Sequence, residues 1–193
     1  MKLHNEYYLL RHGEAMSNIM NIISSWPETL ENPLTDKGRE QVKEAAKILK
    51  DKHVDLIFSS DILRARQTAE IVGGALRLKP KFDRRLREID AGSFNGKTLK
   101  EWDDYFKAEK RSIPNSVPGG ETYADVLKRV WDFLQDVYKK YHDKVILIVS
   151  HQCPLWILEN HVKGFSLEEG LKRNPEEKRI HRGELKALNK FLI

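Results

Sequence analysis

Three short apolar runs constrain the fold of this chain more than any other feature: YYLLRHG (7–13), VDLIFSS (54–60) and KVILIVSH (144–151). Each is bulky and continuously apolar, without the polar alternation of a strand that shows one face to water. They read as strands buried on both faces. Such strands need a layer of helices on either side, and the sequence between the runs has helical spacing.

In TDKGREQVKEAAKILKDKH, Val42, Ala45, Ala46, Ile48 and Leu49 fall on one side of a helix, and DILRARQTAEIVGG opens with Asp61 as a natural N-cap and closes on a double glycine. The strongest pattern is TYADVLKRVWDFLQDVYKKYH, where Tyr123, Val126, Leu127, Val130, Phe133, Leu134, Val137 and Tyr141 recur every three or four residues. Thr122 with Asp125 three residues on is a variant of the capping box. After the third apolar run, Pro154 stands where a first helical turn tolerates it, so LWILENHV continues as a helix, and ELKALN reads as a further strand. Strands alternating with helices predict an α/β fold, a three-layer α/β/α sandwich with a mainly parallel central sheet. The expected organisation is a single domain over 1–193 with a small inserted cap at about 93–120.

With 193 residues, 40% hydrophobic and 33% charged, the chain has the balance of a soluble globular protein. Its one cysteine, Cys153, has no internal partner for a disulfide, which fits a reducing compartment. No stretch approaches the roughly 20 apolar residues of a bilayer crossing, and MKLHNEYYLL lacks the features of a secretory signal, so a cytoplasmic location without a membrane partner is expected. A formal charge of +5 raises the question of nucleic acid. Yet most Lys and Arg alternate with Asp and Glu, as in EEGLKRNPEEKRIHRGELK, which reads as solvated mixed-sign surface. RLKPKFDRRLRE (77–88) reads as a solvent-facing edge strand, and no base-stacking motif or zinc-finger spacing accompanies it. No nucleic-acid partner is expected, and the oligomeric expectation is a monomer or a homodimer.

In sheets of this kind ligands bind beyond the carboxyl ends of the strands. Here those ends carry RHGE, SSDILRAR and SHQ, which send Arg11, His12, Arg64 and His151 to one small region. Arg64 falls in the first turn of a helix, whose dipole is positive at that end. So many potential cations repel one another unless an anion joins them. A phosphoryl group is the natural partner, because guanidinium forks suit paired phosphate oxygens and helix N-termini add N–H donors. A metal ion held by the histidines and a glutamate is opposed by the adjacent arginines, so neither a metal nor a cofactor is expected.

Six ordered segments extend the pattern: LLRHGEAMSN (9–18), NPLTDKGREQ (32–41), FSSDILRARQTAE (58–70), LREIDAGSFNG (86–96), PGGETYADVLKRV (118–130) and VSHQCPL (149–155). Taken together they make the chain resemble the histidine phosphatase superfamily, the phosphoglycerate-mutase-like fold, on its phosphatase branch. The resemblance implies that His12 is a nucleophile that becomes phosphohistidine, that Arg11, Arg64 and His151 bind the phosphoryl oxygens, and that Glu88 donates a proton to the leaving oxygen. It also implies a phosphate contact at Asn18 and a close backbone approach at Gly13. The implied activity is metal-independent hydrolysis of a small phosphorylated metabolite. Elementary chemistry agrees: only a neutral imidazole attacks phosphorus, and clustered cations favour neutrality while stabilising the transferring oxygens.

The sequence also departs from the family. Gln152 stands where many members have glycine, which bears on substrate choice and adds a substrate-binding candidate. REIDAGSFNG replaces the ERHYG-like stretch of the mutases, and the insertion is compact, so hydrolysis is favoured over a cofactor-dependent mutase reaction. A non-catalytic phospho-ligand-binding module is the remaining alternative. Within the insertion, Trp102, Tyr105 and Phe106 are expected to pack a short helix onto the core, while Lys97, Lys100, Lys107, Lys110 and Arg111 are candidates to meet a carboxylate or second phosphate. Trp26, in SNIMNIISSWPETLENP (17–33), is a lid residue or a loop anchor.

Overall fold

The computed structural model describes residues 4–109, 116–173 and 178–188, so Lys110 and Arg111 lie outside the described residues. The three apolar runs form β1 (Glu6–Arg11), β2 (Leu56–Ser59) and β4 (Val145–Ser150). Short edge strands β3 (Lys81–Phe82) and β5 (Leu185–Ala187) complete a sheet of order β3-β2-β4-β1-β5. Every pairing is parallel except that of β5, which runs antiparallel to β1. β3 is the exposed edge expected within 77–88, and ELKALN supplies β5.

Burial on both faces follows from period-two alternation along the central strands. Tyr7, Leu9, Phe58, Ile146 and Ile148 face α5 (Tyr123–Lys140) and α6 (Gln152–Val162). Tyr8, Leu10, Ile57, Leu147 and Val149 face α2 (Asp36–Lys50) and α3 (Leu63–Leu76). This gives the three-layer sandwich. Right-handed crossovers explain the sorting of the helices: β1 to β2 to β3 steps one way across the sheet, with α2 and α3 on one face, and the return through β4 places α5 and α6 on the other. Adjacent β1 and β4 therefore send their chains to opposite faces, which opens a crevice at their carboxyl ends.

Three local expectations need correcting. Ile48 is 53% exposed, because Val42, Ala45, Ala46 and Leu49 already fill the stripe that α2 buries. Asp61 does not cap α3. Ile62 holds the N-cap position without a side-chain bond, and both Asp61 oxygens instead accept from Arg87 at 2.7 and 2.5 Å. Nor does α3 stop at its double glycine: it runs on to Leu76 and ends at Arg77 in the left-handed conformation, φ 57°. The Thr122–Asp125 capping box forms as expected.

Outside the sheet, a third apolar cluster joins Ala91, Phe94 and Val117 to Trp102, Tyr105 and Phe106 of α4 (Leu99–Glu109). The insertion aromatics thus pack a short helix, as its spacing suggested. Helix α1 (Met16–Met20) follows β1, and α7 (Leu167–Arg173) follows α6. Among the described residues no helix is long and apolar enough to cross a membrane.

Candidate active site

The residues just past the carboxyl ends of β1, β2 and β4 carry polar side chains into the protein interior. His12 is 2% exposed, Arg64 3% and His151 0%. The backbone N–H of His12 donates to the Ser150 carbonyl at 3.0 Å, which carries the β1–β4 ladder one step further and fixes the imidazole's origin.

The partners of His12 define its protonation. Its Nδ1 lies 2.7 Å from the Gly13 carbonyl, which only accepts, so Nδ1 carries the hydrogen. Its Nε2 receives the Arg64 Nε–H at 3.1 Å, and a guanidinium only donates, so Nε2 presents a lone pair. The ring is a neutral imidazole in one tautomer. Electrostatics point the same way. Burial pushes the His12 pKa well below the usual imidazole range, the charges of Arg64, Arg11 and Arg182 push it further, and the Gly13 carbonyl opposes them.

His151 lies beside it, with ring centroids 5.1 Å apart. Its Nε2 is 2.9 Å from Ser60 Oγ, and its Nδ1 has no hydrogen-bond partner among the described residues. Ser60 Oγ also accepts the Ile62 N–H at 3.3 Å. Burial lowers the His151 pKa strongly, followed by the charges of Arg64, His12 and Arg11.

Arg64 is held at several points. Nη2 donates to the Ser24 carbonyl at 2.9 Å, Nη1 to Ser24 Oγ at 3.2 Å, and Glu28 Oε1 stands 3.6 Å from Nη1. Glu28 also accepts the Leu63 N–H at the start of α3. Burial presses the Arg64 pKa down, and the negative charges of Glu88 and Glu28 counter it. Arg11 donates from Nη1 to the Ile180 carbonyl at 3.1 Å.

Arg11, His12, Ser24 and Arg64 line a cavity of about 670 Å3, and Asn18, Glu88, Gln152 and Cys153 line it with them. Asn18 Oδ1 accepts the Ala15 N–H at 3.0 Å, which orients its amide. Glu88 is steadied through its backbone: its carbonyl accepts from Arg129 Nη2 at 3.1 Å. Arg129 also donates to the carbonyls of Arg85 and Arg87 and is paired with Glu121 at 2.8 Å, and Glu121 in turn accepts the Asp90 N–H. Trp26 is a loop anchor: the Arg87 guanidinium lies 3.8 Å from its ring centroid and ties the 24–28 loop to the Glu88 segment.

Of the sequence candidates, His12, Arg11, Arg64, Glu88, Asn18 and Gln152 meet at the cavity, and His151 abuts His12. Gly13 does not line it. Its missing side chain serves another contact, since a Cβ there would stand 2.3 Å from the Gly38 carbonyl of α2. Glu14 also turns away, to Thr35 Oγ1 at 3.0 Å and Lys37 Nζ at 3.1 Å. Lys97, Lys100 and Lys107 are not cavity residues: Lys97 stacks on Phe94, and the other two pair with Asp104.

Sequence reasoning missed Ser24, Glu28 and Ser60, and it misread the C-terminal charged run. Within that run Arg179 is buried at 6% exposure, and Arg179, His181 and Arg182 line the cavity. A signal existed for Ser60, a hydroxyl directly at a buried strand end. The 179–182 segment carried none, because its alternating charges look the same as a solvated surface. Among the described residues no group of three or more His, Cys, Asp or Glu side chains is placed to hold a metal ion.

A mainly parallel α/β sheet with guanidinium groups around one neutral imidazole, at a crevice where strand connections diverge, is an arrangement suited to an oxyanion held beside a ring-nitrogen lone pair. The chain belongs to the histidine phosphatase superfamily (branch 1), whose pattern matches residues 7–185. It is 31% identical to Phosphoserine phosphatase 1 of Hydrogenobacter thermophilus over 152 residues, covering 76% of this chain and 71% of that protein. It is 29% identical to Probable phosphoglycerate mutase GpmB of Salmonella choleraesuis over 164 residues, covering 82% and 75%. Among solved structures, Bacillus stearothermophilus YhfR superposes with a TM-score of 0.83 at 29% identity, over 95% of this chain and 90% of that one. A putative alpha-ribazole-5'-P phosphatase from Escherichia coli gives 0.79 at 26% identity, over 95% and 89%.

Proposed function

We propose that this protein is a metal-independent phosphomonoester hydrolase that works through a phosphohistidine on His12. The observation that carries the reading is the fixed tautomer of His12, with the hydrogen on Nδ1 and the lone pair on Nε2. In the first half-reaction Nε2 attacks phosphorus. The P–N bond forms as the P–O ester bond breaks, and the departing alkoxide takes a proton from Glu88. Arg11, Arg64 and His151 bind the three transferring oxygens, and Asn18 adds a further contact. In the second half-reaction water gives a proton to Glu88, its oxygen bonds to phosphorus, and the P–N bond breaks. Inorganic phosphate leaves and the imidazole returns to neutral.

The nearness of the Glu88 carboxylate to Arg64 supports its assignment. Glu88 acts on Arg64 electrostatically and lines the same cavity as His12. Phosphatase names among the relatives favour hydrolysis. The relative named a probable phosphoglycerate mutase motivates a transferase reading, in which the group passes to a second substrate instead of water.

The test is phosphate release from p-nitrophenyl phosphate in excess chelator, with His12→Ala alongside. Release that resists chelation and falls by about a thousandfold or more in the variant is the expected result, a magnitude set by loss of a covalent nucleophile. Wild-type rates in His12→Ala would overturn the nucleophile assignment. Interconversion of phosphoglycerate isomers without net phosphate release would favour the transferase.

A further inference from the structure

Arg64 is occupied on two sides. Its Nε–H sits on the His12 Nε2 lone pair at 3.1 Å, the same lone pair that is proposed to attack phosphorus. Behind it, Nη2 donates to the Ser24 carbonyl at 2.9 Å and Nη1 to Ser24 Oγ at 3.2 Å. A phosphoryl group arriving at Nε2 has to take over the Nε–H. How firmly Arg64 then holds it depends on how far the guanidinium charge is already satisfied.

Two carboxylates act on that charge, Glu88 and Glu28. Glu88 faces the cavity, whereas Glu28 does not line it and stands behind the guanidinium. Glu28 Oε1 lies 3.6 Å from Arg64 Nη1, with the guanidinium almost wholly buried and the carboxylate mostly so. Oε1 is itself buried and has no hydrogen-bond partner among the described residues, so the Arg64 charge is what offsets its loss of water. Oε2 accepts the Leu63 N–H at 3.1 Å, which fixes the carboxylate at the start of α3, one residue before Arg64. The pair is thus built into the fold, and a ligand in the cavity meets only its cationic half.

We infer that Glu28 is a resident counter-ion that weakens the hold of Arg64 on phosphoryl oxygens, a positioning residue that tunes substrate affinity and lets inorganic phosphate leave. The inference rests on the reading that a phosphoryl group binds between His12 and Arg64. A buried guanidinium with no other anion would bind substrate and product tightly alike, which does not speed the chemical step and slows release. A carboxylate fixed on its far side shares the charge and lowers both affinities together.

Titration calorimetry with inorganic phosphate tests this without turnover. Glu28→Gln keeps an amide oxygen for the Leu63 N–H and removes the charge. It is expected to bind phosphate about tenfold tighter than the wild type and to lower KM for p-nitrophenyl phosphate in proportion, while kcat does not rise. Glu28→Ala repeats the charge loss with a different shape and is expected to shift both quantities the same way. Glu28→Asp keeps the charge and is expected to stay within about threefold of the wild-type phosphate affinity. Unchanged or weaker phosphate binding in the two uncharged variants would overturn the inference, as would an equal gain in Glu28→Asp. If hydrolysis that depends on His12 persists in those cases, the phosphatase reading stands. Absence of both phosphate binding and hydrolysis in the wild type would remove both.

Discussion

Arg129 lies far along the chain from the Glu88 segment that it braces, yet a single guanidinium gathers three consecutive-region carbonyls, those of Arg85, Arg87 and Glu88. It acts through another residue, by positioning. Arg129→Ala is expected to lower kcat by about tenfold to a hundredfold while KM changes little, because Glu88, the proposed acid, loses its placement and the proposed phosphoryl site around His12 does not. Steady-state kinetics with an activated and an unactivated ester separate the outcomes: p-nitrophenolate needs no proton, so the loss should be small with it and large with an alkyl ester. An equal loss on both esters would mean a merely structural effect. Such a residue was not legible in the sequence, where Arg129 looks like one more solvated position on α5. The place of His12 beside the arginines was legible because a strand end marked it, and that of Glu88 at the same cavity because the family resemblance implied it, whereas Arg129, Glu28 and Arg179 find their partners only through folding.

At the level of elements, the turn after β1 and the first turn of α2 pass at backbone contact. A Cβ on Gly13 would lie 2.3 Å from the Gly38 carbonyl, and one on Gly38 would lie 2.0 Å from the Glu14 carbonyl. Thr35 strengthens the join: it accepts the Gly38 N–H at 3.0 Å and donates to Glu14. Gly38→Ala is expected to destabilise the fold by about 3 kcal/mol, an overpacking cost against unyielding backbone, and to displace His12 with it. Urea unfolding followed by circular dichroism checks this, and an unchanged midpoint would sink it. The three central strands, α2, α5 and α6 were legible because hydrophobic period depends only on local sequence. The ends of α3 were not: Asp61 serves Arg87 instead of a cap, and that competition arises from a residue 26 positions away.

For the whole molecule, two buried imidazoles tie stability to pH. His12 and His151 both have pKa values below the ordinary imidazole value of about 6.5. The unfolded chain therefore takes up protons first as pH falls, and the folded state loses ground. Their contribution is complete above about pH 6.5 and declines below it, by roughly 2 kcal/mol in all between pH 6.5 and 5.5. Thermal melts at pH 7.5 and 5.5 should show this loss, reduced by about half in His12→Gln. An identical loss in that variant would contradict the assignment.

The divergence of β1 and β4 at the crevice has one more consequence. Groups proposed to meet phosphorus sit on the tips of the sheet, while the surrounding walls come from three separate excursions: the 22–25 loop, α4, and the 179–182 segment. Two of these walls are tied to the tips, Ser24 to Arg64 and Ile180 and Gly183 to Arg11 and His12. α4 is therefore the wall that a lineage can exchange, and with it the cargo admitted, with least disturbance to those groups.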